Sequence, residues 1–356
     1  MAHKYKQVAD ALRADILDGI YQKRMLLPTE QLLCQRFNVS RQTVRQALSV
    51  LASEGMIERR QGSGSHILPV RENLNAPRRT VAVITTYISN YIFPSILREI
   101  ETVLSANNSA PTLYATQNQI SNERRILQSL LDGELPDGIL VEGTKTGLPN
   151  PNLDLYRKLI SRGVPMVFMH GIYPELSDCL SVLDDNYGGS RQLVEYLYQK
   201  GHRSISGIFK NDDLQGLQRY AGYADTLRDL GLPLEDQRVY WYNTESKDCL
   251  LSDDSAWTQV KSVLHNCTAL VCYNDEIASR VVSLLLKEGV RIPDEIAVVS
   301  FDNSPYSELS VIPITSLSHE EYNVGRMAAE QLVRLFNGHS GTSQLAPWTL
   351  IDRKSS

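Results

Sequence analysis

Long apolar runs are missing from this chain of 356 residues. Stretches such as 164–169 and 296–300 reach only five or six residues, against the roughly 20 that a membrane-spanning helix needs. The opening MAHKYKQVAD has no apolar core of the kind a secretory signal carries. A protein of the reducing cytoplasm is expected. Cysteine usage agrees: Cys34, Cys179, Cys249, Cys267 and Cys272 are odd in number, scattered, and free of CxxC or CxxH spacing. That excludes a disulfide framework and a structural zinc site. The GxSxG, HExxH, GxxxxGKS/T and GxGxxG runs that carry nucleophilic, metal or nucleotide chemistry are also absent. No catalytic residue, metal or cofactor is therefore expected.

What is present is unevenly distributed. Hydrophobic residues at 42% and charged residues at 22% suit a globular chain rather than a disordered one. At roughly 150 residues per domain the length predicts two or three units. Residues 1–79 hold 13 Lys and Arg against 7 Asp and Glu, a balance of +6, while the other 277 hold 23 against 34, a balance of −11. A basic head on an acidic body suits contact with a polyanion, although a solvated charged face would give the same arithmetic. Residues 1–68 read as the head. Residues 69–79 (PVRENLNAPRR) carry two prolines and no helical periodicity, and read as a linker. Residues 80–356 form the body.

In the head, Val8, Leu12, Ile16 and Leu17 share one helical face over 4–19. Thr29 is placed to cap TEQLLCQRF, Asn38-Val39 to make a tight turn, and Ser40 to cap RQTVRQALSVLASEG. Two short helices joined by such a turn fit the DNA-reading motif. The first turn of the second helix offers Ser40, Arg41, Gln42, Thr43 and Arg45 to a major groove, where arginine forks onto guanine and hydroxyls hold phosphate. The strands MIERR and SHIL around QGSG then make a basic hairpin, a wing whose Gly62 and Gly64 let backbone amides approach phosphate.

The run LLPTEQLLCQRFNVSRQTVRQALSVLASEGMIERRQGSGSHI resembles the gluconate-repressor (GntR) family of bacterial regulators. The resemblance implies that Arg45 reads a guanine, that Arg41 and Thr43 hold backbone, and that Gln61 and Gly62 sit at the wing tip. It also places Lys4 and Tyr5 near phosphate. Glu30 is implied to accept from a cytosine amino group, or else it is a carboxylate favoured by a helix N-terminus.

The body alternates short β-branched runs with amphipathic stretches. VAVITTY, FPSILREIETVLS, PTLYAT, ERRILQSLLDG, DGILVE, YRKLISRG and PMVFMH come first, and the theme resumes from SISGIF to IAVVSF. This predicts two α/β units with parallel sheets buried on both faces. GHRSISGIF, RYAGYADTLRDLGL, the block from CYNDEIASRVV to ITSLSH, and VGRMAAEQLVRLFNG resemble the effector module of lac- and galactose-type repressors. That resemblance implies the two-lobed, type I periplasmic-binding-protein-like fold. The runs ITTYISNYIFPSI, ILVEGTKT and GIFKNDDLQG further resemble the arabinose-responsive repressors. The minor-groove hinge helix of lac-type repressors finds no counterpart in PVRENLNAPRR, so that part of their mechanism is not implied.

Ligands of open α/β sheets sit beyond the carboxyl ends of the strands, and a sugar needs polar fans with an aromatic ring against its C–H face. The first strand leads to Tyr87, Ser89, Tyr91 and Phe93, the third to Glu142 and Lys145, and the fourth to His170 and Tyr173. The run ending at Leu183 gives Asp184. The second lobe offers Lys210, Asp212, Asp213, Gln215 and Arg219, then Tyr273, Asn274 and Asp275, then Asp302 and His319. Duller roles stay open for some. Asp275 suits a helix cap, Asp184 a strand end, Tyr91 and Phe93 a helix-start core, and His319 a turn. The carboxylate pairs Asp184/Asp185 and Asp212/Asp213 are adjacent residues that should diverge, unlike the acids of a glycosidase. The whole reads as a dimeric repressor on a palindromic operator in double-stranded DNA, released by a small sugar effector, L-arabinose.

Overall fold

The computed structural model describes residues 4–17, 20–21, 26–53, 56–60, 64–67, 78–252, 254–319 and 322–356. The chain separates into two units, 1–77 and 78–356.

In the first unit, α1 (Lys4–Leu17) turns Val8, Leu12 and Ile16 inward onto Leu33 of α2 (Glu30–Phe37) and Val44, Leu48 and Leu51 of α3 (Arg41–Ser53). Burying each such side chain stabilises the fold by about 1.5–3 kcal/mol. Thr29 Oγ1 accepts from Leu32 N at 3.4 Å to open α2, and Asn38 closes it in the left-handed region at φ 49°. Ser40 Oγ accepts from Thr43 N at 3.3 Å to open α3. The wing pairs β1 (Ile57–Arg60) with β2 (Gly64–Ile67) in antiparallel register, setting buried Ile57 opposite Ile67.

The second unit holds two lobes. In lobe 1 the strands are β3 (Arg79–Thr85), β4 (Ser109–Ala115), β5 (Gly138–Val141), β6 (Met166–Met169), β7 (Leu180–Asp184) and β13 (Gln344–Ala346). They pair in parallel in the order β13-β7-β6-β5-β3-β4. Helices α4 (Phe93–Ala106) and α13 (Val324–Phe336) cover one face, and α5 (Ile120–Asp132) and α6 (Leu153–Ser161) the other. In lobe 2 the order is β14-β12-β11-β10-β8-β9, with β8 (Ile205–Lys210), β9 (Val239–Tyr242), β10 (Ala269–Cys272), β11 (Ala297–Phe301), β12 (Thr315–Ser318) and an antiparallel edge, β14 (Thr349–Ile351). Here α7 (Asn186–Gln199) and α8 (Leu214–Asp229) cover one face, and α10 (Asp254–Val263) and α11 (Asp275–Lys287) the other. β5, β6, β10 and β11 are buried at every residue, which is why their sequences do not alternate.

The chain crosses between lobes three times, after β7, after β12 and after β13. Residues 69–77 of the expected linker lie outside the described residues. Its last residue corrects the boundary: Arg79 opens β3, donating its N–H to Asn108 O at 3.1 Å with its guanidinium carbon 4.9 Å from the Phe336 ring centre. An arginine that covers an aromatic ring is compatible with the start of a strand. Among the described residues no helix is long and apolar enough to cross a membrane.

Candidate functional site

The head presents a polar face on α3. Arg41, Gln42 and Arg45 are exposed, while Val44, Ala47 and Leu48 turn inward. Ser40 Oγ and Thr43 Oγ1 stand 2.9 Å apart. Arg45 Nε donates to both oxygens of Glu30, at 3.0 and 3.2 Å, so the two residues expected to read bases are joined in the free head. Glu30 also occupies the first turn of α2. Lys4 lines a shallow groove with Phe37, Asn38 and Val39. Tyr5 packs its ring partly against the head core, because it lies one turn before Val8 and Ala9 on the buried side of α1. Gly64 belongs to β2 rather than to the turn, opposite Arg60 at φ +94°, a value that favours glycine. Gln61 and Gly62 lie outside the described residues. Sequence reasoning missed Arg36, whose Nη1 donates to Asp15 Oδ2 at 2.5 Å and to the Tyr21 hydroxyl at 2.7 Å. That bond holds the Asp15 carboxyl below its ordinary range.

A cleft of about 1040 Å³ lies between the lobes, at the carboxyl ends of both sheets. It gathers Tyr87, Tyr91, Phe93, Glu142, His170 and Asp184 from lobe 1. Lys210, Gln215, Arg219, Tyr273, Asn274, Asp302 and His319 face them. Lys210 Nζ, at the end of β8, is 2.9 Å from Asp212 Oδ1 and 2.8 Å from Asp213 Oδ2. Burial opposes its charge, but the two carboxylates outweigh it and hold the amine above the ordinary lysine range. The pair at 212 and 213 therefore converges on one cation instead of diverging. The pair at 184 and 185 does diverge, Asp185 accepting from Gly188 N at 2.9 Å to cap α7. Gly216 keeps α8 close to this cation: a β-carbon there would sit 1.9 Å from the Lys210 carbonyl oxygen.

The other polar groups are equally anchored. Glu142 Oε2 accepts from Thr86 N at 2.8 Å and Thr86 Oγ1 at 2.7 Å, and burial pushes its carboxyl upward. His170 Nδ1 is 2.9 Å from Asp184 Oδ2, and its Nε2 is buried without a hydrogen-bond partner among the described residues. Burial opposes the charge on His170, yet Asp184 carries the ring to about 9 and leaves it cationic. His170 and His319 together hold Asp184 well below the usual carboxylate range against its own burial. Tyr91 reaches across the cleft, donating to Asp302 Oδ2 at 2.7 Å and accepting from Asp275 N at 3.2 Å. Tyr91, His170 and Asp302 have φ of 56°, 61° and 92°. Left-handed backbone at three non-glycine positions around one cavity is the strain that binding sites store.

Five expected ligand contacts fall elsewhere. Ser89 is exposed on the loop before α4, its Oγ donating to Asn90 Oδ1 at 3.1 Å. Lys145, at φ 48°, is off the lining, its Nζ forming an ion pair with Glu245 of α9 (Thr244–Ser252) and standing 3.9 Å from Asp212 Oδ2. Tyr173 is buried in the lobe 1 core, where its hydroxyl donates to Glu123 Oε1 and Thr144 O, both at 2.8 Å. Asp212 faces Lys210 and accepts from Thr244 N at 3.0 Å, off the lining. Asp275 is not the cap and does not line the cleft. Asn274 caps α11, accepting from Ile277 N at 3.1 Å, while Asp275 accepts from Ser300, Ser304 and Ser316 beneath the cleft. Burial, then the nearby Asp302 charge, pushes its carboxyl up to about 7.

Taking the residues just past each strand also missed part of the lining. Tyr242 ends β9, and Lys247 comes from α9, its Nζ 2.5 Å from Glu276 Oε2 and 5.8 Å from the Tyr87 ring centre. Thr86 was discoverable as the residue directly after β3. Lys247 was not, because nothing in its local sequence says that α9 leans on the cleft. The assembly offers donors and acceptors in several directions with aromatic rings between them, which is what a neutral polyol needs.

Residues 4–67 match the bacterial regulatory proteins of the gntR family, and residues 194–356 match a periplasmic binding protein-like domain. The chain is 36% identical over 337 residues to the arabinose metabolism transcriptional repressor of Halalkalibacterium halodurans, covering 94% of this chain and 89% of that protein. It is 32% identical to the protein so named from Geobacillus stearothermophilus, over 95% of this chain and 92% of the other. The solved complex of the transcriptional regulator CelR with cellobiose superposes with a TM-score of 0.67 at 22% identity, over 89% of this chain and 92% of that one. That likeness concerns the fold.

Proposed function

The chain belongs to the family of arabinose metabolism transcriptional repressors, with a gntR-type head and a periplasmic-binding-like body, and from this premise we propose that it represses arabinose-utilisation genes and leaves its operator on binding L-arabinose. It is a regulator and not an enzyme. The observation that carries the sugar reading is the cleft itself, where the unpartnered Nε2 of cationic His170 and the anchored carboxylate of Glu142 stand among Tyr87, Phe93 and Tyr273. It acts in the cytoplasm, where operator and sugar are both present.

We assign it a homodimer on a palindromic site, since one head of this size buries too little DNA to select an operator. Leu309 and Val311 support the pairing. They are 84% and 75% exposed beside half-exposed Tyr306 in lobe 2, an apolar surface that a second copy would cover. For sugar to release DNA it must bind the released state more tightly, and a hundredfold preference corresponds to about 2.7 kcal/mol.

Calorimetric titration of the chain with L-arabinose, D-xylose, D-ribose and D-galactose tests the assignment. Saturable heat with L-arabinose alone is expected. Heat only from another sugar would overturn arabinose and leave the architecture standing, and silence with all four would overturn a sugar effector. The head makes a separate prediction. Arg45→Ala should lose about 1–3 kcal/mol of base discrimination, read as loss of enrichment in selection from random duplexes, with sugar affinity unchanged. Retained selectivity would remove Arg45 from base reading.

A further inference from the structure

His319 was expected among the sugar contacts, and it does reach the cleft wall. Both of its ring nitrogens, however, are taken up by its own chain. Nε2 is 2.6 Å from Asp184 Oδ1, and Nδ1 is 2.9 Å from the Pro347 carbonyl oxygen. Its ring also stacks on Trp348, with centres 3.6 Å apart and planes 22° from parallel. These partners come from different places in the sequence with one thing in common. Asp184 ends β7 at the first crossing between lobes, His319 comes after β12 at the second, and Pro347 and Trp348 form the third.

The three crossings are thus tied at one point. Asp185 N donates to Ala346 O at 3.1 Å, which joins the first to the third by backbone alone. His319 joins the second to both. Trp348 fills the space against α7 that Gly189 leaves, where a β-carbon would stand 2.6 Å from the indole. The other oxygen of Asp184 faces His170, whose Nε2 is the unpartnered group of the ligand cleft. A contiguous series therefore runs from the cleft through His170 and Asp184 to the segments about which the lobes must turn.

We propose that His319 is the positioning residue of the inter-lobe pivot, holding the three crossings together through Asp184, Pro347 and Trp348, and that it governs closure without touching the sugar. The part of this concerning sugar rests on the effector reading above. The pivot does not. A hinge is a few element-terminal residues that absorb the rotation between packed bodies, and a residue bonded to all the crossings sets how freely they open.

The test uses the whole chain and two variants, His319→Gln and Asp184→Asn, with their combination. Without sugar, amide exchange at Asp185 and Ala346 should accelerate by about tenfold in each variant, with the amides of β3 and β11 unchanged. The combined variant should exchange no faster than the faster single one, as expected for two ends of one bond. Unchanged exchange at the crossings, or equal acceleration throughout both lobes, would overturn the pivot. With sugar, His319→Gln should weaken L-arabinose, D-xylose, D-ribose and D-galactose by one common factor, whereas an altered ranking would mark His319 as a contact. If the unaltered chain binds none of the four, the effector reading fails and the sugar-free exchange still decides the pivot.

Discussion

Replacing Arg219 with methionine should cost the body about 3–5 kcal/mol and lower its thermal midpoint by roughly 10 °C. Arg219 is 3% exposed on α8. Nε donates to Asn186 Oδ1 at 2.9 Å, Nη1 to Tyr273 O at 2.5 Å and Nη2 to Asp302 Oδ1 at 3.2 Å. Its guanidinium carbon lies 4.2 Å from the Phe301 ring centre and 4.9 Å from that of Tyr273. Burial opposes the charge, and Asp302, Tyr273, Asp184 and Asp213 together more than restore it. Methionine fills the volume but leaves Asp302 buried without its cation, facing the Asp275 site. The cost should therefore be conditional. Arg219→Met combined with Asp302→Asn should recover most of the lost midpoint, because removing both members of a buried pair is far less damaging than removing one. A double variant as unstable as Arg219→Met would mean that Arg219 acts through packing alone. Calorimetric melts of the three variants distinguish these outcomes.

The residues that were legible in the sequence share a physical cause. A buried parallel strand reads as an unbroken apolar run, so the residue where polarity returns marks the mouth of the sheet. Lys210, Asp302 and His170 were found in this way. The rule locates a neighbourhood, not a direction. Asp212 and Asp213 are equivalent by that rule, yet Asp213 lines the cleft while Asp212 lies behind it. Tyr173 shows the same limit over a longer distance. It comes soon after β6, but its hydroxyl is drawn inward by Glu123, a carboxylate in the first turn of α5. Glu123 also accepts from Tyr156, Asn150 and Asn152, and no local pattern reveals a charge that is satisfied only by residues far along the chain.

Helix caps and turns were legible because their chemistry is local. Thr29, Asn38 and Ser40 act within a few residues of themselves. The pairing of Arg45 with Glu30 was not, since it depends on the crossing of α2 and α3. It matters for function: the guanidinium expected to fork onto guanine is oriented before DNA arrives, and Glu30 must share it or release it on binding. Fold class was the most legible feature of all, because hydrophobic period and run length are summed over many residues. Site membership depends on single side-chain directions.

Lys210→Met should produce a loss of similar size, about 3–5 kcal/mol near pH 8, with a pH dependence that identifies its origin. In the unaltered chain Asp212 is held below its ordinary 3.8 and Lys210 above its ordinary 10.5. The carboxylate contributes stability above about pH 4 that is lost as pH falls through the lowered value, and the amine contributes stability that is lost only as pH rises through the raised one. Between about pH 5 and 9 this triad is therefore level. In the variant the two buried carboxylates lose the cation they share, and Asp212 keeps only Lys145 Nζ, at 3.9 Å; burial and the neighbouring Asp213 charge then raise Asp212. The folded value of Asp212 then exceeds its unfolded one, so stability falls as pH rises from about 5 to 8. The gap between the two proteins should be widest near pH 8 and narrow toward about pH 5, measured by thermal melts across that range. A gap independent of pH would show that Lys210 contributes packing rather than charge. The same substitution should blunt sugar-driven release from DNA more than about tenfold while leaving sugar-free operator affinity unchanged, because the altered side chain belongs to the cleft and the reading helix to the head.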